Sequence, residues 1–319
     1  MLHVVLAGGL GGVGREISDA LLQRGKSRLT VFTRKLPSEA LTPRNVDEDR
    51  SSSTYRVVKV DYSDVNELAS HLQNVDVVLS FVLDYDNKVQ KNLIDACMIA
   101  KVKRFAPSEW VWANYSGIEL FKYKDDARSY LEQINAQGKV LEYCLFQPGM
   151  FMNYLSFPKK SASHLHLSPI PIDVQNYKAI TLEGENPHVV FTTVQDLARV
   201  VALAVEHTLP WPTVGQICGT RTTVKDLISL AEQIRGTHFE IHQVRRTDLE
   251  LGKMESPWTP QIIHSSVPPD KVEEMSRQLS INWLLAAARE SMDVSPTWNY
   301  LLPGFKPTQV TDFLNEHFS

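Results

Sequence analysis

The chain has 319 residues, of which 43% are hydrophobic and 22% charged, with a formal net charge of −4. This composition excludes a chain-long disordered or collagen-like protein, and the absence of a basic excess argues against nucleic-acid binding. Three scattered cysteines (Cys97, Cys144, Cys218) are too few for a disulfide framework, and no run of ~20 apolar residues offers a membrane span, so a cytoplasmic protein with free thiols is expected.

In chain order, Leu2–Ala7 reads as a buried strand and Val13–Arg24 as a helix. Arg28–Thr33 and Tyr55–Val60 are the next strands. Between them, residues 35–54 carry prolines, three serines and a charged run, and read as a long surface loop. Val65–Leu72 is a short helix, Asp76–Val82 a strand and Asn87–Ala100 a helix. Lys103–Ala106 is a short strand, Glu119–Gln137 a long helix, and Val140–Phe146 a sixth strand ended by Pro148-Gly149. This alternation predicts an α/β, doubly wound parallel-sheet Rossmann fold. Beyond Phe146 the rhythm changes. Val189–Thr193 reads as a strand feeding a helix at Val194–Glu206, Gly215–Gly219 as a last sheet strand, and Val224–Gln233, Pro269–Gln278 and Ile281–Glu290 as helices. The expected division is a cofactor domain over 1–148 and a smaller, C-terminally weighted substrate region over 149–319, with a returning strand and helix near 189–219.

Five glycines fall between Gly8 and Gly14, in the run Gly8-Gly9-Leu10-Gly11-Gly12-Val13-Gly14. At a strand–helix junction they allow a sharp turn, close approach of backbone to a diphosphate and tight helix packing, while the helix N-terminus presents N–H groups to the phosphates. An acid at the end of the second strand would favour NAD; this chain has Arg34 and Lys35 there instead, a pair suited to a 2′-phosphate and hence to NADP(H). Asp61 closes the third strand near the expected adenine, and Ser80 and Phe81 close the fourth near the ribose. The pair His164-x-His166 has metal-like spacing on a predicted strand, but without a convergent Cys, Asp or Glu pattern no metal site is expected.

A Tyr-x-x-x-Lys pair on a helix, the usual short-chain dehydrogenase device, is missing: Tyr55 and Lys59 fall in a strand. The corresponding helix offers Lys124 and Arg128, one turn apart on one face. Together with the glycine turn, Arg34 and the stretch Arg104-Phe105-Ala106-Pro107-Ser108-Glu109-Trp110, that helix resembles the NmrA-like, isoflavone-reductase-like branch of atypical short-chain dehydrogenases. The resemblance is specific through about Asn153 and looser beyond. It implies Lys124 as general acid/base beside the nicotinamide, with its pKa lowered by burial and by Arg128, and Arg128 in contact with the cofactor. It also implies that Met150, Phe151 and Asn153 belong to a loop lining nicotinamide and substrate. Where the family often has Phe, this chain has Trp110; with Trp112, Met152 and Tyr154 it suggests an aromatic, thioether-rich pocket for a flat apolar substrate.

The leading expectation is an NADPH-dependent reductase of a small aromatic or conjugated metabolite, in secondary metabolism, with no nucleic-acid or membrane partner. Two alternatives stand beside it: an NAD(P)-sensing regulator acting through a protein partner without turnover, and a non-redox isomerase on the same scaffold.

Overall fold

Six short parallel strands organise the N-terminal half of the chain. In the computed structural model, which describes residues 1–36, 55–113, 116–263 and 267–319, they are β1 (Leu2–Ala7), β2 (Ser27–Thr33), β3 (Arg56–Lys59), β4 (Val77–Ser80), β5 (Arg104–Ala106) and β6 (Glu142–Tyr143). Their order, β3-β2-β1-β4-β5-β6, is that of a doubly wound Rossmann sheet. Most of the expected loop at 35–54 lies outside the described residues. Between the strands run α1 (Gly12–Arg24), α2 (Val65–His71), α3 (Lys88–Ile99) and α4 (Lys122–Asn135). In β1, Val4 and Leu6 pack on one face of the sheet and Val5 and Ala7 on the other, all fully buried. A strand covered on both faces favours apolar residues at every buried position, which is why Val4–Ala7 reads as an unbroken run. Ala7 is in register with Phe32 and Ser80, so the C-terminal ends of β1, β2 and β4 lie level where the strand order reverses. That crevice is where an α/β sheet takes its ligand.

The expected sixth strand is divided. β6 pairs with β5, but Pro107 has no N–H to extend that ladder, and β7 (Leu145–Gln147) turns to a different neighbour. The second half of the chain supplies it. After β8 (Met150–Phe151), β9 (Ile172–Asp173), β10 (Lys178–Leu182) and β11 (His188–Thr192), the helix α5 (Val194–Glu206) packs its apolar face on α1, and β12 (Val214–Gln216) pairs parallel with β7. The returning helix is thus part of the cofactor half. The strand before it is not: β11 pairs with β8 and with β13 (Thr220–Thr223).

The remaining elements are α6 (Val224–Arg235), β14 (Glu240–Val244), α7 (Arg246–Glu250), α8 (Val272–Ala288), α9 (Thr297–Leu301) and α10 (Val310–Phe318). Two helices expected at 269–278 and 281–290 are one, α8. Ser280 does not break it, because its hydroxyl donates to the Ser276 carbonyl inside the helix. The long helix expected from Glu119 begins as a tight 3-10 turn and ends at Asn135, whose side chain accepts from the N–H groups of Val140 and Leu141. His164 and His166 lie in an irregular segment and not on a strand. Among the described residues no helix is long and apolar enough to cross a membrane.

Candidate active site

The glycine turn opens at Gly8, whose φ of +73° is left-handed. The N–H of Gly11 donates to the Gly8 carbonyl, and the first helical bond runs from Arg15 N–H to the Gly11 carbonyl. The N–H groups of Gly12, Val13 and Gly14 therefore have no acceptor within the helix. A Cβ on Gly14 would stand 2.7 Å from the Gly9 Cα, so α1 seats on the turn only without one. Gly11 is exposed, and a Cβ there would make only an ordinary contact, 3.8 Å from the Gly8 carbonyl oxygen. Tight backing on one side and free N–H groups beside an open approach fit a diphosphate. Gly12 lies under the segment at His164, where a Cβ would meet the His164 carbonyl at 2.9 Å. The buried Glu16 carboxylate accepts from the N–H of His164 at 2.5 Å and of Leu165 at 3.2 Å, clamping that segment onto α1. His164 Nε2 is paired with Asp19 at 2.8 Å.

At the end of β2, Arg34 and Lys35 are exposed, and Arg34 has no hydrogen bond or ion pair among the described residues. Asp61, exposed beyond β3, accepts from the hydroxyl and N–H of Ser63, which hold its carboxyl below the usual range. Ser80 is fully buried: its hydroxyl accepts from Gln90 Nε2 at 2.8 Å and its carbonyl from Trp110 Nε1 at 2.7 Å. Phe81 stacks on Trp110, with ring centroids 4.8 Å apart.

Lys124 lies in the first turn of α4, on the inward face with Tyr123 and Ala127. Its Nζ donates to the carbonyls of Ser108 at 2.5 Å and Glu109 at 2.6 Å. In the turn after β5 that presents both carbonyls, Trp110 adopts a φ of +42°, a strained conformation for a large side chain. The Trp110 indole is held between Phe81 and Phe146, and Trp298 stacks on Phe146 in turn. Burial lowers the Lys124 ammonium to about 8, and the charge acting against that shift is Glu109. Arg128, on the same helix, lies one turn further along. Its Nε is ion-paired with Glu132 at 2.8 Å, further along α4.

Glu109 is 2% exposed, and the sequence reading assigned it no role. The available signal was an acid in a short apolar turn at a strand end, two residues after a proline. Its Oε1 accepts from Gln147 Nε2 at 3.3 Å. Burial pushes its carboxyl up, and the Lys124 charge pulls it back.

The structure draws Lys124, Glu109, Trp110, Ser80 and Phe81 into one linked group; of the other residues singled out from the sequence, Phe151 and Tyr154 pack in the same hydrophobic cluster as Trp110 and Phe81, while Trp112, Met150 and Met152 belong to the C-terminal core. Trp112 belongs to the C-terminal core, edge-on to Phe121 at 4.9 Å. Met150 and Met152 pack in that core too, and Met152 is fully buried, so it backs the site and does not face it. Phe151 sits in the sheet core, edge-on to Tyr154 at 5.7 Å. Tyr154 is half-buried, which pushes its hydroxyl up to about 12. Asn153 is fully buried and bound on both ends: its Oδ1 accepts from Val194 N–H at 2.8 Å, and its Nδ2 donates to the Ser161 carbonyl and Gln195 Oε1.

The family model described as NmrA-like matches residues 2–300. A relative from Metarhizium robertsii described as oxidoreductase swnN is 28% identical, over 98% of this chain and 96% of that protein. Among solved structures, the NADPH-dependent quinone oxidoreductase QOR2 of Escherichia coli, complexed with NADPH, superposes with a TM-score of 0.70 at 18% identity, covering 99% of this chain and all of that one. AtPrR2, solved with NADP+ and (+)pinoresinol, gives 0.70 at 19% identity, covering 99% of this chain and 98% of that one. At these identities the structural likeness establishes the fold.

Proposed function

The chain belongs to the NmrA-like family, and from that premise we propose that it is an NADPH-dependent oxidoreductase that reduces a small aromatic or conjugated metabolite, with Lys124 as its acid–base group. The observation that carries this reading is the Lys124 ammonium, buried at the crevice between two carbonyls and brought by desolvation to about 8. A donor titrating that close to neutral pH is both charged enough to bind an oxygen and acidic enough to give up its proton. The oxidoreductase description of the fungal relative supports the reaction class, and the NADPH and NADP+ complexes of the structural neighbours support the cofactor.

The free N–H groups of Gly12, Val13 and Gly14, with the positive end of α1, hold the diphosphate on the turn shaped by Gly8, Gly9, Leu10 and Gly11. Arg34 and Lys35 take the 2′-phosphate, with Asp61 near the adenine and Ser80 and Phe81 supporting the ribose side. Met150 and Phe151 carry the loop beside the nicotinamide. Asn153 anchors that loop on α5, and Arg128 flanks it from α4. The half-buried Tyr154 offers an aromatic surface suited to a flat substrate, with the rings of Trp110 and Trp112 buried in the surrounding core. Residues 1–148 form the cofactor half and residues 149–319 mainly the substrate half.

Bound NADPH supplies a hydride to a conjugated or benzylic carbon. Lys124 Nζ delivers a proton to the oxygen that gains charge, so hydride and proton together complete a two-electron reduction. The experiment follows loss of reduced nicotinamide when aromatic enones and quinones are added to protein and NADPH. Turnover that is abolished in Lys124→Ala is expected. Tight NADPH binding without turnover, unaltered by Lys124→Ala, overturns the reading in favour of a dinucleotide sensor, and product formed without cofactor points to an isomerase.

A further inference from the structure

The pairing of Lys124 with the turn after β5 raises the question of what keeps a proton on a buried lysine. Nζ has two carbonyl partners, which accept hydrogen bonds but carry no net charge. Lys124 is 9% exposed, so water does little to stabilise its charge. Glu109 contributes one of the two carbonyls through its own backbone, which places its carboxyl within one side chain's reach of the ammonium. That carboxyl is 2% exposed and accepts a hydrogen bond from the neutral Gln147 amide. A buried carboxyl with a single neutral donor is poorly satisfied in its charged form, and the Lys124 charge favours that form against burial.

We propose that Glu109 is a positioning residue that keeps Lys124 protonated, supplying from the β5–α4 turn the counter-charge that the proton donor's own helix does not. This deepens the reading of Lys124 as acid–base group and rests on it. Among the described residues, the other ionisable groups around the pair are Tyr123, Asp125 and Arg128 on α4, Asp84 and Tyr85 in the segment after β4, and Cys144 between β6 and β7. Asp125 and Arg128 act on Glu109 in opposite senses, behind Lys124. The Arg128 Nε is also ion-paired with Glu132. Asp84 accepts from the Gln90 N–H, and burial pushes its carboxyl up. Burial also pushes up the Tyr123 hydroxyl and the Cys144 thiol, so neither supplies charge near neutral pH. Tyr85 reaches the site only as a ring set edge-on to Tyr123.

The test reads the lysine itself and needs no substrate. In protein labelled with 13C at lysine Cε, the Lys124 resonance is assigned by its loss in Lys124→Met and titrated with pH. A midpoint near 8 is expected in the unaltered protein, falling by about one unit or more in Glu109→Gln and returning towards the original in Glu109→Asp. A midpoint that stays or rises in Glu109→Gln overturns the proposal. A second measurement requires no change at Glu109. With glutamate Cδ labelled, one carboxyl resonance must show an inflection at the Lys124 midpoint and lose it in Lys124→Met. Absence of any such glutamate signal also overturns it. Because neither measurement involves NADPH or turnover, a failure of the reductase reading appears in the turnover assay and a failure of this pairing in the titration.

Discussion

The indole Nε1 of Trp110 donates to the carbonyl of Ser80 at 2.7 Å, tying the end of β4 to the turn that grips Lys124. Phenylalanine at this position keeps an aromatic ring between Phe81 and Phe146 but has no donor. Trp110→Phe is therefore expected to cost about 1 kcal/mol of stability, and Trp110→Ala, which also empties the stack, about 3–5 kcal/mol. Denaturant midpoints of the two variants separate the hydrogen bond from the packing. Equal midpoints for Trp110→Phe and the unaltered protein would show that the bond contributes nothing.

Burial of the Lys124 ammonium is a stability cost with a defined pH dependence. The folded value is about 8 against an ordinary 10.5, so between those pH values the unfolded chain binds more protons and stability rises with pH. The cost is present in full below pH 8 and absent above 10.5. Stability of the unaltered protein is accordingly expected to rise as melting is repeated from pH 8 to pH 10.5, and that rise is expected to be lost in Lys124→Met. An equal rise in both proteins would locate the effect outside Lys124.

Arg34 is exposed at the end of β2, without an ion pair among the described residues, where the 2′-phosphate would lie. Arg34→Ala should weaken NADPH binding by about ten- to a hundredfold and leave NADH binding nearly unchanged. Titration of nicotinamide fluorescence with each cofactor measures the ratio. An unchanged ratio would remove Arg34 from the cofactor site.

Asn153 joins the loop after β8 to the first turn of α5 through Val194 and Gln195. Asn153→Ala takes away an acceptor at a helix N-terminus and leaves a buried N–H unsatisfied, so a loss of about 1–2 kcal/mol is expected by chemical denaturation. If its role is anchoring, NADPH affinity should fall by less than the tenfold or more expected for Arg34→Ala. A larger loss of affinity than of stability would make Asn153 a direct cofactor contact.

The glycine turn, the cations after β2 and the Lys124 helix were legible in the sequence because each depends on neighbours a few residues away. A strand end, a run of glycines and a helix start are local events, and two-sided burial writes Val4–Ala7 of β1 as an uninterrupted apolar run. Even the returning helix α5 was legible, since Thr193 caps it from within the same stretch of chain. The break between β6 and β7 was not, because it depends on Pro107 in a neighbouring strand and on β12 arriving from the second half.

The sequence by itself determined that this chain builds a dinucleotide crevice and places a lysine on the helix that borders it. Only the tertiary structure decided what surrounds that lysine. Glu109 acts on its charge from the preceding turn; that turn is braced by Ser80, thirty residues upstream of Trp110; and Asn153 is spent on a helix forty-one residues away. The physical reason is range. Backbone geometry and hydrophobic period are set over a few residues and survive in the order of the letters. Desolvation, a counter-charge and a buried hydrogen bond depend on which distant segments the fold brings within a few ångströms.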